Sequence, residues 1–313
     1  FSSVRTAQRG NDRRMTSTIA HALNRALDDA LSADDRVVVM GEDVGRTGGV
    51  FRITDALLER HGEHRVIDMP VAESGIAGVG FGMAVGGIRP VIEMQFMGFS
   101  YPAVDQVINH ISRIRNRSRH RFSAPMVIRI PYGGGIGAAE HHSESAEAIY
   151  THTPGLKVVV PSRPSDAYGL LRSAIDDPDP VVFLEPIRLY RAVKEELPGE
   201  PAFVAIGSAS VENEGRDLSL ISYGAMMKEC REAVKRLTDD GISTELIDLR
   251  TLTPLDTETV LRSVRKTSRA VLVSEAPKTA GFMAEVSAVI SERAMLSLSA
   301  PVRRVTGWDT VFP

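Results

Sequence analysis

Short apolar runs recur along the chain, each bounded by glycine, proline or charge. Residues 37–40, 66–69, 91–95, 126–130, 158–160 and 181–184 are rich in Val and Ile and alternate little with polar positions. Runs of that kind suit strands buried on both faces. Between them, residues 19–31, 53–60, 76–85, 103–114 and 167–174 read as helices. Strand and helix in alternation predict an α/β domain, a parallel sheet covered by helices.

The alternation pauses after residue 185. Pro186, Pro198 and Pro201 fall here among Lys194, Glu195, Glu196 and Glu200, so 191–215 reads as a surface linker. It then resumes. Strands are predicted at 218–222, 245–249, 270–274 and 302–305, with helices at 226–237, 258–264 and 282–294. The expected organisation is a first domain over 15–190 and a second, smaller α/β domain over 216–313. Residues 1–14 hold Arg5, Arg9, Arg13 and Arg14 against a single acid, Asp12, and are expected to be a disordered extension outside the fold. Their bias fits either an upstream extension of a cytoplasmic protein or the remnant of a mitochondrial transit peptide.

Composition narrows the function classes. Of 313 residues, 43% are hydrophobic and 25% charged, an ordinary globular mixture long enough for two domains. With 37 Lys and Arg against 40 Asp and Glu, the net charge of -3 offers no basic excess for nucleic acid or an anionic membrane surface. Cys230 is alone, which excludes an internal disulfide framework and a cysteine-based zinc site, and suits a reducing compartment. The longest uncharged stretch, 74–88, is glycine-rich and too short to span a bilayer.

Four places carry candidate chemistry. Gly75, Gly78, Gly80, Gly82, Gly86 and Gly87 do not form the ordered Gly-x-Gly-x-x-Gly turn of a dinucleotide site, because they are spread through a helix. Close packing, within the chain or at a subunit interface, accounts for them better. Glu73 stands past the end of the 66–69 strand and opens that helix, which suits either a ligand site or a helix-start acid. The segment 133–147 runs from Gly133, Gly134, Gly135 and Gly137 to His141 and His142, a loop bearing groups suited to proton transfer. Adjacent histidines do not converge on one metal. Phe96, Phe99 and Tyr101 follow the 91–95 strand and suit either core packing or the apolar wall of a pocket.

The chain resembles the β subunit of the thiamine diphosphate-dependent decarboxylase component of 2-oxoacid dehydrogenase complexes. The resemblance runs from Met15 to Pro313. It is carried by GEDVG at 41–45, GGVFR at 48–52, AESGI at 72–76, RPVIE at 89–93, DQ at 105–106, HS at 142–143, PGLKVV at 154–159, DLRT at 248–251, SEAP at 274–277 and DTVFP at 309–313. It implies a transketolase-like pyrimidine-binding domain followed by a transketolase C-terminal-like domain, each a parallel sheet between helical layers.

The resemblance also implies roles. Glu73 matches the glutamate that hydrogen-bonds the aminopyrimidine ring and favours its imino tautomer. Phe99 matches the aromatic stacked on that ring, Glu42 belongs to the acidic group lining the cofactor, and Gln95 is expected beside them. His142 matches the histidine where the acyl group passes to the lipoyl arm. Met126, Ala174, Ile175, Asp177 and Asp179 match a potassium loop, with Asp179 where many relatives have Asn. The chain has no Gly-Asp-Gly segment with a downstream Asn, so Mg²⁺ and the cofactor's diphosphate are expected on an α subunit. That implies half of an enzyme, an α2β2 heterotetramer that also meets the lipoyl and subunit-binding domains of an acyltransferase core.

The chain ends at Phe312 and Pro313, where relatives usually continue, so the second domain is expected to be short. The expected reaction is oxidative decarboxylation of a 2-oxoacid, either pyruvate or a branched-chain acid. The segments 93–96 and 131–136 lean toward the branched-chain relatives. A non-catalytic β-like assembly subunit is the alternative, and a nicotinamide-dependent oxidoreductase fails on the missing fingerprint.

Overall fold

The computed structural model describes residues 15–312, so the expected extension 1–14 lies outside the described residues. Among the described residues the strands are β1 (Met15–Thr18), β2 (Val37–Gly41), β3 (Val66–Asp68), β4 (Arg89–Glu93), β5 (Val127–Tyr132), β6 (Lys157–Val159), β7 (Val181–Pro186), β8 (Lys194–Leu197), β9 (Ser210–Asn213), β10 (Leu218–Ser222), β11 (Thr244–Asp248), β12 (Thr251–Thr253), β13 (Ala270–Pro277) and β14 (Arg303–Gly307). The first sheet has seven strands in the order β12-β6-β7-β5-β4-β2-β3, and the second has five in the order β14-β13-β10-β11-β9. Both are parallel except at one edge, where β12 and β9 run antiparallel to their neighbours.

The buried strands explain the unbroken apolar runs. In β5, Val127 faces one apolar cluster and Ile128 the other, each about 1% exposed. One cluster is closed by the Ile19–Ala33 helix, whose Ile19, Leu23, Leu27 and Leu31 form a buried stripe. Thr18 caps that helix, its Oγ1 accepting from the His21 N–H at 3.2 Å. The other cluster runs without a break from Ile92 and Ile128 into Ile221, Ile247 and Leu272 of the second sheet. The two domains therefore share a core.

Four details differ from the sequence expectations. The 191–215 segment is not a plain linker: β8 pairs with β1 and β9 extends the second sheet. β12 leaves the second domain to edge the first sheet, and two threonines in a three-residue strand gave no apolar run to reveal it. The 53–60 helix shrinks to Leu57–His61, preceded by Ala56 at a φ of 60°. The 103–114 helix breaks into short turns, with a wide π turn at Val107–Ile111.

Candidate active site

The site lies at the carboxyl ends of β2, β3 and β4, where a parallel sheet opens between helices. Glu42 follows directly on β2. It is 5% exposed, and its Oε1 has no partner among the described residues. Burial pushes its carboxyl above the ordinary range, the negative charges of Glu73 and Asp43 push further, and a hydrogen bond from the Ala72 N–H opposes them. Glu73 comes from the other side as the first residue of the Glu73–Val85 helix, where the positive end of the helix favours an acid. It is half-buried. Gln95 reaches Asp43 through its Nε2 at 3.4 Å, which ties the end of β4 to the end of β2.

The second half of the site is aromatic. The turn Met97–Ala103 carries Phe99 and follows Phe96. The two rings meet edge to face at 5.4 Å, and both pack against His142, at 4.7 Å from Phe96 and 5.0 Å from Phe99. His142 Nδ1 is buried without a partner. The histidine loop can lie directly on the turn because position 98 is glycine. A Cβ there would strike the His141 carbonyl and fall 2.9 Å from His141 Nδ1. His141 leans on Phe99 at 5.1 Å and is exposed. The turn is fixed to the helix that begins with Glu73 by a hydrogen bond from the Ser74 hydroxyl to the Pro102 carbonyl.

Below this wall lies a network that the sequence did not single out. Arg129 is fully buried in β5 and sits between two carboxylates, 2.5 Å from Glu93 and 2.6 Å from Glu185. Tyr190 donates to Glu185 at 2.5 Å, and its ring meets Phe51 at 5.1 Å. Phe51 in turn meets Phe96 at 5.4 Å. The signal was present: Arg129 and Glu185 are charges inside or closing apolar strand runs.

The glycine helix divides by function. Gly80 faces inward, where a Cβ would meet Ile92 Cγ2 at 2.9 Å. Gly82 meets nothing within 4 Å, and Val71 and Val79 nearby are 82% and 48% exposed. Close packing within the chain thus accounts for one side of the helix only.

Two cofactor expectations can be tested on these contacts. A heteroaromatic ring needs a carboxyl at its edge and an apolar face, and the unpartnered oxygen of Glu42, the accessible Glu73 and the Phe96–Phe99 wall fit that need. The potassium loop does not fit a resident cation in this geometry. The carbonyls of Ile175 and Asp177 accept from Arg89 at 2.7 and 3.4 Å. Asp177 is paired with Lys157 at 2.7 Å, and Asp179 with Arg115 at 2.5 Å. The Met126 carbonyl takes the Val181 N–H, and Ala174 is buried in the helix Pro164–Asp176. Arg89, Lys157 and Arg115 thus hold the oxygens of Ile175, Asp177 and Asp179 that were expected to hold potassium. Among the described residues no group of three or more His, Cys, Asp or Glu could hold a metal ion, and no helix is long and apolar enough to cross a membrane.

Two α/β domains, each a largely parallel sheet, with acids and aromatics gathered at the strand ends of the first, define a transketolase-type fold. Residues 16–193 match the family described as transketolase, pyrimidine binding domain, and 207–313 match transketolase, C-terminal domain. A solved split-gene transketolase, an inactive β4 tetramer, has a TM-score of 0.77 at 22% identity, covering 95% of this chain and 91% of that one, which speaks for the fold alone. The pyruvate dehydrogenase E1 component subunit beta of Acholeplasma laidlawii is 49% identical over 95% of this chain and 90% of its own. That of Bacillus subtilis (strain 168) is 51% identical over 95% of this chain and 91% of its own. The chain belongs to the family of β subunits of thiamine diphosphate-dependent 2-oxoacid dehydrogenases.

Proposed function

We propose that this chain is the β half of a pyruvate-decarboxylating E1 component, with its active site completed by an α subunit. The supporting observation is the closeness of Glu42 and Glu73 at strand ends whose helix is tied by Ser74 to the turn bearing Phe99, on which His142 packs, with two buried polar atoms left unpartnered. Relatives named for pyruvate favour that substrate over the branched-chain acids toward which 93–96 and 131–136 lean. The relatives are bacterial, which favours a cytoplasmic reading over a mitochondrial one.

Thiamine diphosphate, when bound, would supply a nucleophilic carbon for the 2-oxoacid carbonyl and an electron sink for the pair left as CO₂ departs. The rest is done by side chains. Glu73 holds a proton at a ring nitrogen edge. Glu42, whose carboxyl is pushed up by burial and by its acidic neighbours Glu73 and Asp43, stands beside it as a second carboxyl at the same edge. Phe96 and Phe99 exclude water, which strengthens both hydrogen bonds. His142 offers a donor or acceptor on the loop side, suited to the acyl group as it leaves for a lipoyl arm. Mg²⁺ and the diphosphate belong to the α subunit in this reading, and the assembly is an α2β2 tetramer docked on an acyltransferase core. Retention of Glu73, Phe99 and His142 together argues against a non-catalytic assembly subunit.

Glu73→Gln tests the reading. In the αβ assembly, isotope exchange at the thiazolium carbon should slow by roughly 10²–10⁴-fold, the range for losing positioned acid–base help. Folding should change by a few tenths of a kcal/mol, the cost of a helix-start charge. Exchange within a few-fold of wild type would leave Glu73 an ordinary helix-start acid and overturn the assignment.

A further inference from the structure

Away from this site, a cavity of about 520 Å³ opens where β1 meets the Ile19–Ala33 helix. Arg52, Arg191 and Lys194 line it, with His21, Asn24 and Arg60. Asp55 is the one carboxylate on its lining. Arg60 is already paired with Asp28 at 3.3 Å. The other three cations have no carboxylate partner among the described residues. Arg191 donates to the Phe51 carbonyl at 2.9 Å, and Arg52 donates to the Thr47 carbonyl. A carbonyl orients a guanidinium without cancelling its charge, so each fork keeps free N–H groups and a full positive charge. Asn24 fixes the opposite wall through the carbonyls of Ile53 and Asp55 at 2.7 and 3.0 Å. The Ile19–Ala33 helix begins here with no acid in its first turn, so its positive end is also uncompensated. Its Ala20 and His21 N–H groups are taken by the Tyr190 carbonyl and by Thr18, so it contributes field rather than donors.

We infer that this cavity is a binding site for a phosphoryl-bearing small molecule. Two oriented guanidiniums and an ammonium around one concave space match an anion with several oxygens, and the volume admits a diphosphate with a small organic body. The site is separate from the thiamine site. Phe51 lies between them, its ring on Phe96 at 5.4 Å and its carbonyl on Arg191. The inference does not rest on the proposed activity.

Inorganic pyrophosphate, titrated into the full chain by calorimetry, tests it directly. Saturable binding is expected that weakens as salt is raised from about 20 to 150 mM, because exposed charges are screened over about 8 Å at the upper value. Lys194 is exposed at the end of β8, opposite Thr18, so Lys194→Glu should leave thermal unfolding unchanged while weakening pyrophosphate binding at least about tenfold. Arg52→Gln should weaken it similarly, and Asp55→Asn should strengthen it. Three results would overturn the inference. These are absence of saturable heat at about 5 mM pyrophosphate, where even a millimolar site would fill, an unchanged Kd in both Lys194→Glu and Arg52→Gln, or citrate binding as tightly as pyrophosphate.

Discussion

Replacing Arg129 by Met should destabilise the chain more than any surface change near the site. The guanidinium is fully buried and bridges Glu93 and Glu185, donating at 2.5 Å to the first and at 2.6 and 2.9 Å to the second. Burial raises the Glu93 carboxyl above its ordinary range, and Arg129 is the largest influence pulling it back. Methionine fills the volume but leaves two buried carboxyls without a cation. Removing one partner of a buried pair costs about 3–5 kcal/mol. The orphaned carboxyls escape that cost only by taking up protons, so the loss should shrink from pH 7 to pH 5. Arg129→Lys keeps the charge and loses the fork, so it should fall between. Urea unfolding followed by circular dichroism measures all of these, with an unchanged m-value showing that the same surface is exposed. A loss under about 1 kcal/mol at pH 7, or equal losses at both pH values, would refute the view of Arg129 as the counter-ion of this layer.

The remaining expectations are narrower. His142→Ala removes the ring packed on Phe96 and Phe99. It should keep decarboxylation with an artificial acceptor within a few-fold while reductive acylation of a lipoyl domain falls by about 10²-fold, and equal losses in both assays would sink that division of labour. Gly82→Leu finds open space in the chain. It should fold normally yet weaken the αβ assembly by overpacking, seen as smaller species in light scattering. Asp248 is fully buried beside Asp166, and burial pushes its carboxyl up to about 7. A raised folded value means its stabilising protonated form is complete below the ordinary carboxylate range and is lost as pH climbs toward 7. Asp248→Asn should therefore gain stability relative to wild type between pH 5 and pH 8, and urea midpoints that stay parallel would disprove it.

How far the sequence revealed the fold depended on how each element signals itself. β2, β4, β5 and β7 are buried on both faces and leave unbroken apolar runs, so they were visible as strands. β8, β9 and β12 lie at edges, with polar residues such as Lys194, Glu195, Ser210, Thr251 and Thr253, and nothing local distinguishes them from linker. The 53–60 helix was overextended because Ala56, a good helix former, is held at positive φ by the surrounding loop. That is a tertiary constraint overriding a local preference.

The site was legible where position alone implied chemistry. Glu73 at a strand-to-helix junction and His142 after a glycine-rich loop both stood out before any geometry was known. The Arg129 network did not, although a charge inside an apolar run can persist only if something buried neutralises it, and that rule would have found it. The poor fit of the potassium loop has a related cause. Asp177 and Asp179 are acids whose partners, Lys157 and Arg115, lie 20 and 64 positions away along the chain. Spacing cannot show such partners, and once they are present an added cation would bring like charges together. Around Glu73 the logic runs the other way. Glu42 Oε1 and His142 Nδ1 are buried with no partner among the described residues, and Val71 just before the helix and Val79 on it are exposed. Leaving a buried polar atom unpaired costs about 1–3 kcal/mol. Such atoms beside bare apolar surface favour a site finished by something from outside the chain, which is what half of a two-subunit active site requires.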